Sequence, residues 1–261
     1  MMPATSVQPV VQPHPGRAFS GVWRLTSRRF FTPGQALLLL GTFVLLGGLS
    51  LIRIRYGQVG DFFPWIAQFY LGFVIPVMAF ISGAAAIRDE MKSGTADYVL
   101  TRPVRRSHLV AFKFIAQLVC SQLFYLVVLA SLLGLAMAMR VPSIGSAAPR
   151  LLIAQVTALT CFSALGFLFG VLSERYLVLG IVYAATVEVG IGRIPTQLSQ
   201  LSMSHQLGGL LQPLDPTGSV LAPASAAVVV PLLVGYAFVF IGLCAVLFSR
   251  REMIGAAGRA T

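Results

Sequence analysis

Residues 36–52 read ALLLLGTFVLLGGLSLI, a run without one charged side chain. A bilayer's hydrocarbon core is about 30 Å thick and takes roughly 17–25 helical residues to cross, so this run predicts a transmembrane helix. Working outward from it, comparable apolar runs fall at 64–87, 109–139, 151–172, 177–192 and 226–248. The third exceeds what a bilayer needs and is expected to project into the cytoplasm, whereas the fifth is short and carries Glu188. The 261-residue chain is 57% hydrophobic and only 10% charged, with a mean hydropathy of +0.84, well above a water-soluble domain of this length. The predicted fold class is therefore an all-α integral membrane protein, one domain over residues 17–261 with six transmembrane helices.

Charge sets the orientation. If both termini are cytoplasmic, fourteen of the nineteen Lys and Arg fall on that side, leaving only Arg53, Arg55, Arg140, Arg150 and Arg193 outside. Lys and Arg accumulate on the cytoplasmic face of membrane proteins, so an even span count with both ends inside follows. The same rule accounts for the net charge of +11 without nucleic acid, since no basic patch is interleaved with exposed aromatics.

Residues 1–16 are rich in proline and lack an apolar signal core, which predicts a disordered tail. Residues 17–34 follow as an interfacial helix: Phe19, Val22, Trp23 and Phe30 fall near one face and Arg24, Arg28 and Arg29 toward the other. A plain basic flank that only fixes topology is the alternative. Cys120, Cys161 and Cys244 each lie inside an apolar run and read as small core hydrophobes. Gly83 with Ala84–Ala86, and Gly166 with Gly170, are small residues of the kind that let helix backbones approach in lipid, a signal shared by generic bundle packing. Residues 193–225 are too apolar for a free loop and too rich in Pro and Gly for a clean helix, so parts of them are candidates to dip back into the membrane.

Missing chemistry narrows the function. The only lysines, Lys92 and Lys113, do not follow glycine, so the GxxxxGK[ST] phosphate loop is absent. His14, His108 and His205 have no metalloprotease spacing, which disfavours zinc hydrolysis and a Ser/His relay. The chain is not expected to be an enzyme.

Polar chemistry concentrates instead in RDEMKSGTADYVLTRPVRRSHLVAFK, residues 88–113. Arg88, Asp89, Glu90 and Lys92 are expected to stay hydrated at the membrane surface. Ser93, Gly94 and Thr95 then supply a hinge and a helix N-cap, with Asp97 in the first turn, where the helix dipole favours an anion. Pro103 biases Arg102 away from helical dihedrals, so this helix has less than two turns, and Ser107 is placed to cap the third span. So short a helix is not stable alone. Tyr98, Val99 and Leu100 suit docking into a groove on a soluble partner, and packing on the chain's own spans would serve equally.

The run from Ile87 to Lys113 resembles the segment between spans two and three of type-2 ABC transporter permeases, with Glu90, Gly94, Thr95, Leu100, Thr101, Arg102, Pro103, Arg106 and Lys113 at matching positions. RRFFTPGQALLLL is similar to that family's basic entry into the first span, and GFLFGVLSERYLVLGIVYAATVE resembles its tight turn between the fourth and fifth. The stretch from Glu188 through Ile194, Pro195, Leu198, Leu201, Ser202 and His205 is similar to the subgroup containing nitrous-oxide-reductase maturation and gliding-motility permeases. Ala96 and Tyr98 depart from the pattern, standing where a leucine is often found.

This resemblance implies an exporter permease in the bacterial plasma membrane. It also implies a coupling helix that meets a separate ABC ATP-binding subunit holding ATP and Mg, and a second permease copy or paralogue. The coupling residues it implies are Glu90, Gly94, Thr95, Asp97, Tyr98, Leu100, Arg102, Pro103 and Arg106. Glu188 is the one carboxylate expected within a span, where charge is expensive. Substrate contact, pairing with Arg193 or His205, and a protonated side chain all fit it. A non-transporting membrane scaffold that recruits a cytoplasmic partner is the alternative function.

Overall fold

A computed structural model describes residues 15–30, 33–56, 62–92, 106–193, 197–212 and 225–257. Among these residues the regular structure is entirely helical. Helix α1 (Pro15–Phe30) leads to α2 (Pro33–Tyr56). The next rod is α3 (Phe62–Trp65), a π-helical segment (Ile66–Val74) and α4 (Ile75–Lys92) in sequence. Helices α5 (Arg106–Ala138) and α6 (Ile144–Leu172) form a hairpin. Helix α7 (Tyr176–Tyr183) runs into a second π-segment (Ala184–Gly190) and a 3₁₀ turn (Ile191–Arg193). A second 3₁₀ turn (Gln197–Leu201), the short α8 (Met203–Leu211) and the long α9 (Ala226–Ala257) complete the chain.

Among the described residues, four stretches are long and apolar enough to cross a bilayer: Phe62–Arg88, Val110–Ala138, Ile144–Leu172 and Ala226–Phe248. Leu40–Arg53 and Tyr176–Gly190 are shorter apolar helices, matching in place the first and fifth predicted spans. The protein is thus a multi-pass, all-helical membrane protein. Apolar length alone decides the longer four, because a helix satisfies all its backbone hydrogen bonds internally and needs nothing from lipid.

Helix α6 is the centre of the bundle: 78% of its most apolar window is buried, against 22% for α9. Its partner is α4, and the crossing is set by missing side chains. A Cβ on Gly83 would collide with the Ser163 backbone, and one on Gly166 with the Phe80 backbone. A Cβ on Gly170 would sit 2.8 Å from the Ala84 carbonyl oxygen and 2.6 Å from Ile87 Cγ2. The small residues named from the sequence therefore mark one backbone-to-backbone seam, where close dispersion contact replaces the hydrophobic drive that lipid withholds.

Two apolar clusters flank this seam. The larger gathers Phe62, Ile66, Tyr70, Leu129, Leu159 and Met203; the smaller gathers Ile87, Phe114, Phe167 and Cys244 at the opposite end. All three cysteines are free and buried. Helix α1 packs on α5 with Thr26 buried and Arg24 and Arg28 exposed.

The α5–α6 turn closes as a Schellman motif. Val141 N donates to Ala136 O and Arg140 N to Met137 O, both at 3.0 Å, with Arg140 left-handed at φ 58°.

Three local expectations change. Helix α6 begins at Ile144, seven residues before the predicted boundary, whereas the second span, Phe62–Arg88, lies within two residues of the predicted 64–87. Ser107, the expected cap of the third span, is the second residue of α5, which starts at Arg106. Arg88, expected to be hydrated, is buried at 5% exposure because Glu174 provides a counter-charge from the α6–α7 turn.

Candidate functional site

The residues singled out from the sequence fall in two places. Gly94, Thr95, Asp97, Tyr98, Leu100, Arg102 and Pro103 lie outside the described residues. Glu90 belongs to the last turns of α4, and Arg106 is the first residue of α5. Lys113, about two turns further on, is buried. Glu188 and His205 are brought together with a set of groups the sequence did not pair with them.

Glu188 stands in the second π-segment, half-buried. Tyr183 Oη donates to its Oε1 at 2.9 Å. Ser202 Oγ donates to Oε2 at 2.7 Å, and the Ser204 backbone N–H donates to the same oxygen at 2.8 Å. Three donors on two oxygens fix the plane of the carboxylate. The Ser204 amide is one of the four N–H groups that α8 cannot satisfy internally, so the carboxylate also faces the positive end of that helix.

His205 enters through the same helix terminus. Its backbone N–H donates to Ser202 Oγ at 3.1 Å, making Ser202 the N-cap of α8 as well as a donor to Glu188. Its Nδ1 lies 3.1 Å from the Gly192 carbonyl, which only accepts, so Nδ1 carries the proton. Nε2 lies 3.3 Å from Ser199 Oγ. Gly192 has to be glycine for this approach: a Cβ there would stand 2.8 Å from Ser202 Oγ. Of the pairings open to Glu188, the structure gives hydroxyl and amide donors, with His205 joined through Ser202.

The arrangement is a clasp between two separate pieces of chain. One side is the rod from Tyr176 to Arg193, and the other is the 197–212 segment, whose α8 buries Met203, Leu207, Leu210 and Leu211 in the larger apolar cluster. Its chemistry is positioning. The carboxylate is engaged by three donors, and among the described residues no group of three metal-ligating side chains gathers anywhere.

A second polar node lies deeper. Tyr70, in the first π-segment, donates from Oη to Gln155 Oε1 at 2.8 Å and lies 3.4 Å from the Tyr125 carbonyl, linking α5, α6 and the Phe62–Lys92 rod. Both side chains are fully buried, and Gln155 Nε2 has no partner among the described residues. Nearby, Gln122 Nε2 donates to the Val156 carbonyl at 2.9 Å and to Thr160 Oγ1 at 3.3 Å. Sequence reading missed this node because Tyr70 and Gln155 are 85 residues apart and each sits in an apolar run. Both polar nodes involve a π-segment, a helix variant that occurs mostly as short insertions and often at functional positions.

Comparison with curated proteins gives no match. The family described as ABC-2 family transporter protein matches residues 26–253, which takes in every predicted span, the α4–α6 seam and both polar nodes. This multi-pass helical chain, whose sequence carries no GxxxxGK[ST] phosphate loop, belongs to the ABC-2 family of transporter proteins.

Proposed function

We propose that this chain is the membrane-spanning subunit of an ABC exporter, driven by a separate ATP-binding subunit that holds ATP and Mg. The observation that carries the reading is the family match over residues 26–253 in a chain that lacks the phosphate loop needed to bind ATP itself. In this reading Leu40–Arg53 and Tyr176–Gly190 complete a set of six spans, with both termini cytoplasmic in a bacterial plasma membrane. The Glu188 clasp then faces outward and the Arg88 end faces the cytoplasm.

Residues Glu90 to Arg106 are the coupling element. ATP-driven closure of the ATPase pair pushes on this segment, and the spans rock between inward-open and outward-open states. A second copy, or a paralogue, completes the path. The exposed apolar side chains of α2 and α7, among them Leu37, Val44, Ile181 and Val182, supply surface for it or for lipid. Similarity to the nitrous-oxide-reductase maturation and gliding-motility permeases supports a compact exporter of this kind.

Co-expression with an ABC ATP-binding subunit and reconstitution into proteoliposomes tests the proposal. A stable complex is expected, with ATP hydrolysis stimulated by the permease and reduced at least several-fold by Glu90→Ala and by Gly94→Pro. Unchanged assembly and turnover in both variants would refute the coupling role. A complex that assembles but moves no substrate across the bilayer would identify a membrane scaffold instead.

A further inference from the structure

Arg88 is the last described side chain before the segment assigned above to the ATPase, and it is not free in water. Its guanidinium is buried, and its Nη2 is ion-paired with the Glu174 carboxylate, whose side chain is 87% exposed. The two residues are 86 positions apart and come from different cytoplasm-facing pieces: the end of α4, and the three-residue turn that joins α6 to α7. That turn is itself ordered, with Ser173 extended and its Oγ accepting from Arg175 N at 3.1 Å. Arg88 Nε has no partner among the described residues, so Glu174 carries the counter-charge for this cation.

Three neighbouring facts give the pair a direction of action. The α4–α6 seam has backbone on backbone at Gly83, Gly166 and Gly170, so the two helices cannot slide past one another and move as one piece. Helix α7 and the π-segment after it bury no side chain fully, and the rod meets the core mainly through ring contacts, Phe80 against Gly180 and Phe169 against Tyr183, so it is more loosely packed than the seam. It is continuous from Tyr176 to Arg193 and ends at the Glu188 clasp.

We propose that the Arg88–Glu174 pair is the positioning link through which displacement of the Lys92 end of α4 is delivered to α7 and, along it, to the Glu188 clasp. The inference rests on the ATPase-coupled reading above. Displacement of α4 alone would carry α6 with it; the ion pair makes the α6–α7 turn follow instead of flexing, so the loosely packed rod tilts with the seam.

The test uses the permease in complex with its ATP-binding subunit in proteoliposomes, with Cys120, Cys161 and Cys244 changed to Ala and one reporter, Leu198→Cys. Leu198 is 59% exposed in the 3₁₀ turn beside the clasp. A membrane-impermeant maleimide reads its labelling rate without nucleotide and after trapping with ATP and vanadate. Trapping is expected to change the rate in the otherwise unaltered chain. Glu174→Gln, which removes the charge but leaves an amide oxygen to accept from the Arg88 guanidinium, is expected to keep the complex and its ATP hydrolysis and to lose about tenfold of that response, a coupling loss of ordinary size. Glu174→Asp retains it. An undiminished response in Glu174→Gln, or a Leu198→Cys rate indifferent to nucleotide in a working complex, overturns the link while leaving the ATPase reading intact. No complex with the unaltered chain overturns that reading and the link with it.

Discussion

Replacing Gly166 by alanine is the sharpest test of the α4–α6 seam. The new methyl would collide with the Phe80 backbone, which has no flexible end to yield, so the helices must part. Gly170 calibrates the cost, since a Cβ there lies 2.8 Å from the Ala84 carbonyl oxygen and the neighbour has to recede by roughly 0.6 Å to regain ordinary contact. Overpacking of this kind costs about 1–3 kcal/mol, set against a helix-propensity gain of up to about 1 kcal/mol for Gly→Ala. We expect Gly170→Ala to destabilise by about 1 kcal/mol and Gly166→Ala, with its deeper overlap, by about 3 kcal/mol. Gly134→Ala in α5 meets nothing within 4 Å and serves as the control, expected to be neutral or slightly stabilising.

Cys161 supplies the assay. It lies on α6, fully buried with its Sγ against Met203 Sδ of α8, and reacts with a thiol probe only when the bundle opens around α6. With Cys120 and Cys244 changed to Ala, its labelling rate in detergent micelles under excess probe reports the opening equilibrium. A loss of about 3 kcal/mol raises that rate by roughly 100-fold. If Gly166→Ala labels no faster than Gly134→Ala, the backbone contact is not what holds the bundle, and the positioning link argued from it loses its rigid member.

Further outcomes follow from the polar contacts and the turn. Tyr70→Phe leaves the fully buried Gln155 Oε1 without its donor and is expected to cost about 1–3 kcal/mol, whereas Tyr70→Phe with Gln155→Leu recovers most of the loss in a double-mutant cycle read by the Cys161 probe. Ser202→Ala removes both the α8 cap and a donor to Glu188, so protease cleavage in the 197–212 segment is expected to accelerate by about tenfold, in line with a cap worth about 1–2 kcal/mol. Arg140→Gly removes the Cβ penalty of the left-handed residue in the α5–α6 turn and is expected to stabilise by about 1 kcal/mol in thermal unfolding.

What the sequence made legible follows the range of the interaction. Spans could be read because apolar length is local, and the glycines of the seam could be named because small residues stand out in an apolar run. Their partners could not: Gly166 meets Phe80 and Gly83 meets Ser163, pairings 80 or more residues apart that no local pattern encodes. The π-segments were invisible for another reason. Ile66–Val74 and Ala184–Gly190 have the same apolar composition as the α-helices that flank them, and the change is only in which carbonyl each N–H reaches. Glu188 stood out as a charge within a span, yet its donors Ser202 and Ser204 come from the stretch whose mix of Pro, Gly and apolar residues left its path open. Arg88 was misread because a cation at a span end is ordinarily hydrated, and only the exposed Glu174 across the turn makes its burial affordable.

Placing polar groups in lipid is costly, so their positions show where the bundle spends stability to hold orientation. Tyr70, Gln155 and Gln122 tie α5, α6 and the Phe62–Lys92 rod together in the interior, where packing is already dense. The α7 rod is different. Its helical part buries nothing fully, Ile181 and Val182 face outward, and the Phe169–Tyr183 ring contact is one of the few places where it meets the core. Its polar attachments lie near its ends: the Arg88–Glu174 pair just before Tyr176, and the Ser202 and Ser204 donors on Glu188 near its other end. An element held by directional contacts near its ends and by two ring contacts along its side, Phe80 with Gly180 and Phe169 with Tyr183, can reorient with less repacking than a buried helix. In the proposed alternating transporter, this loosely packed rod is the element expected to reorient against the densely packed seam.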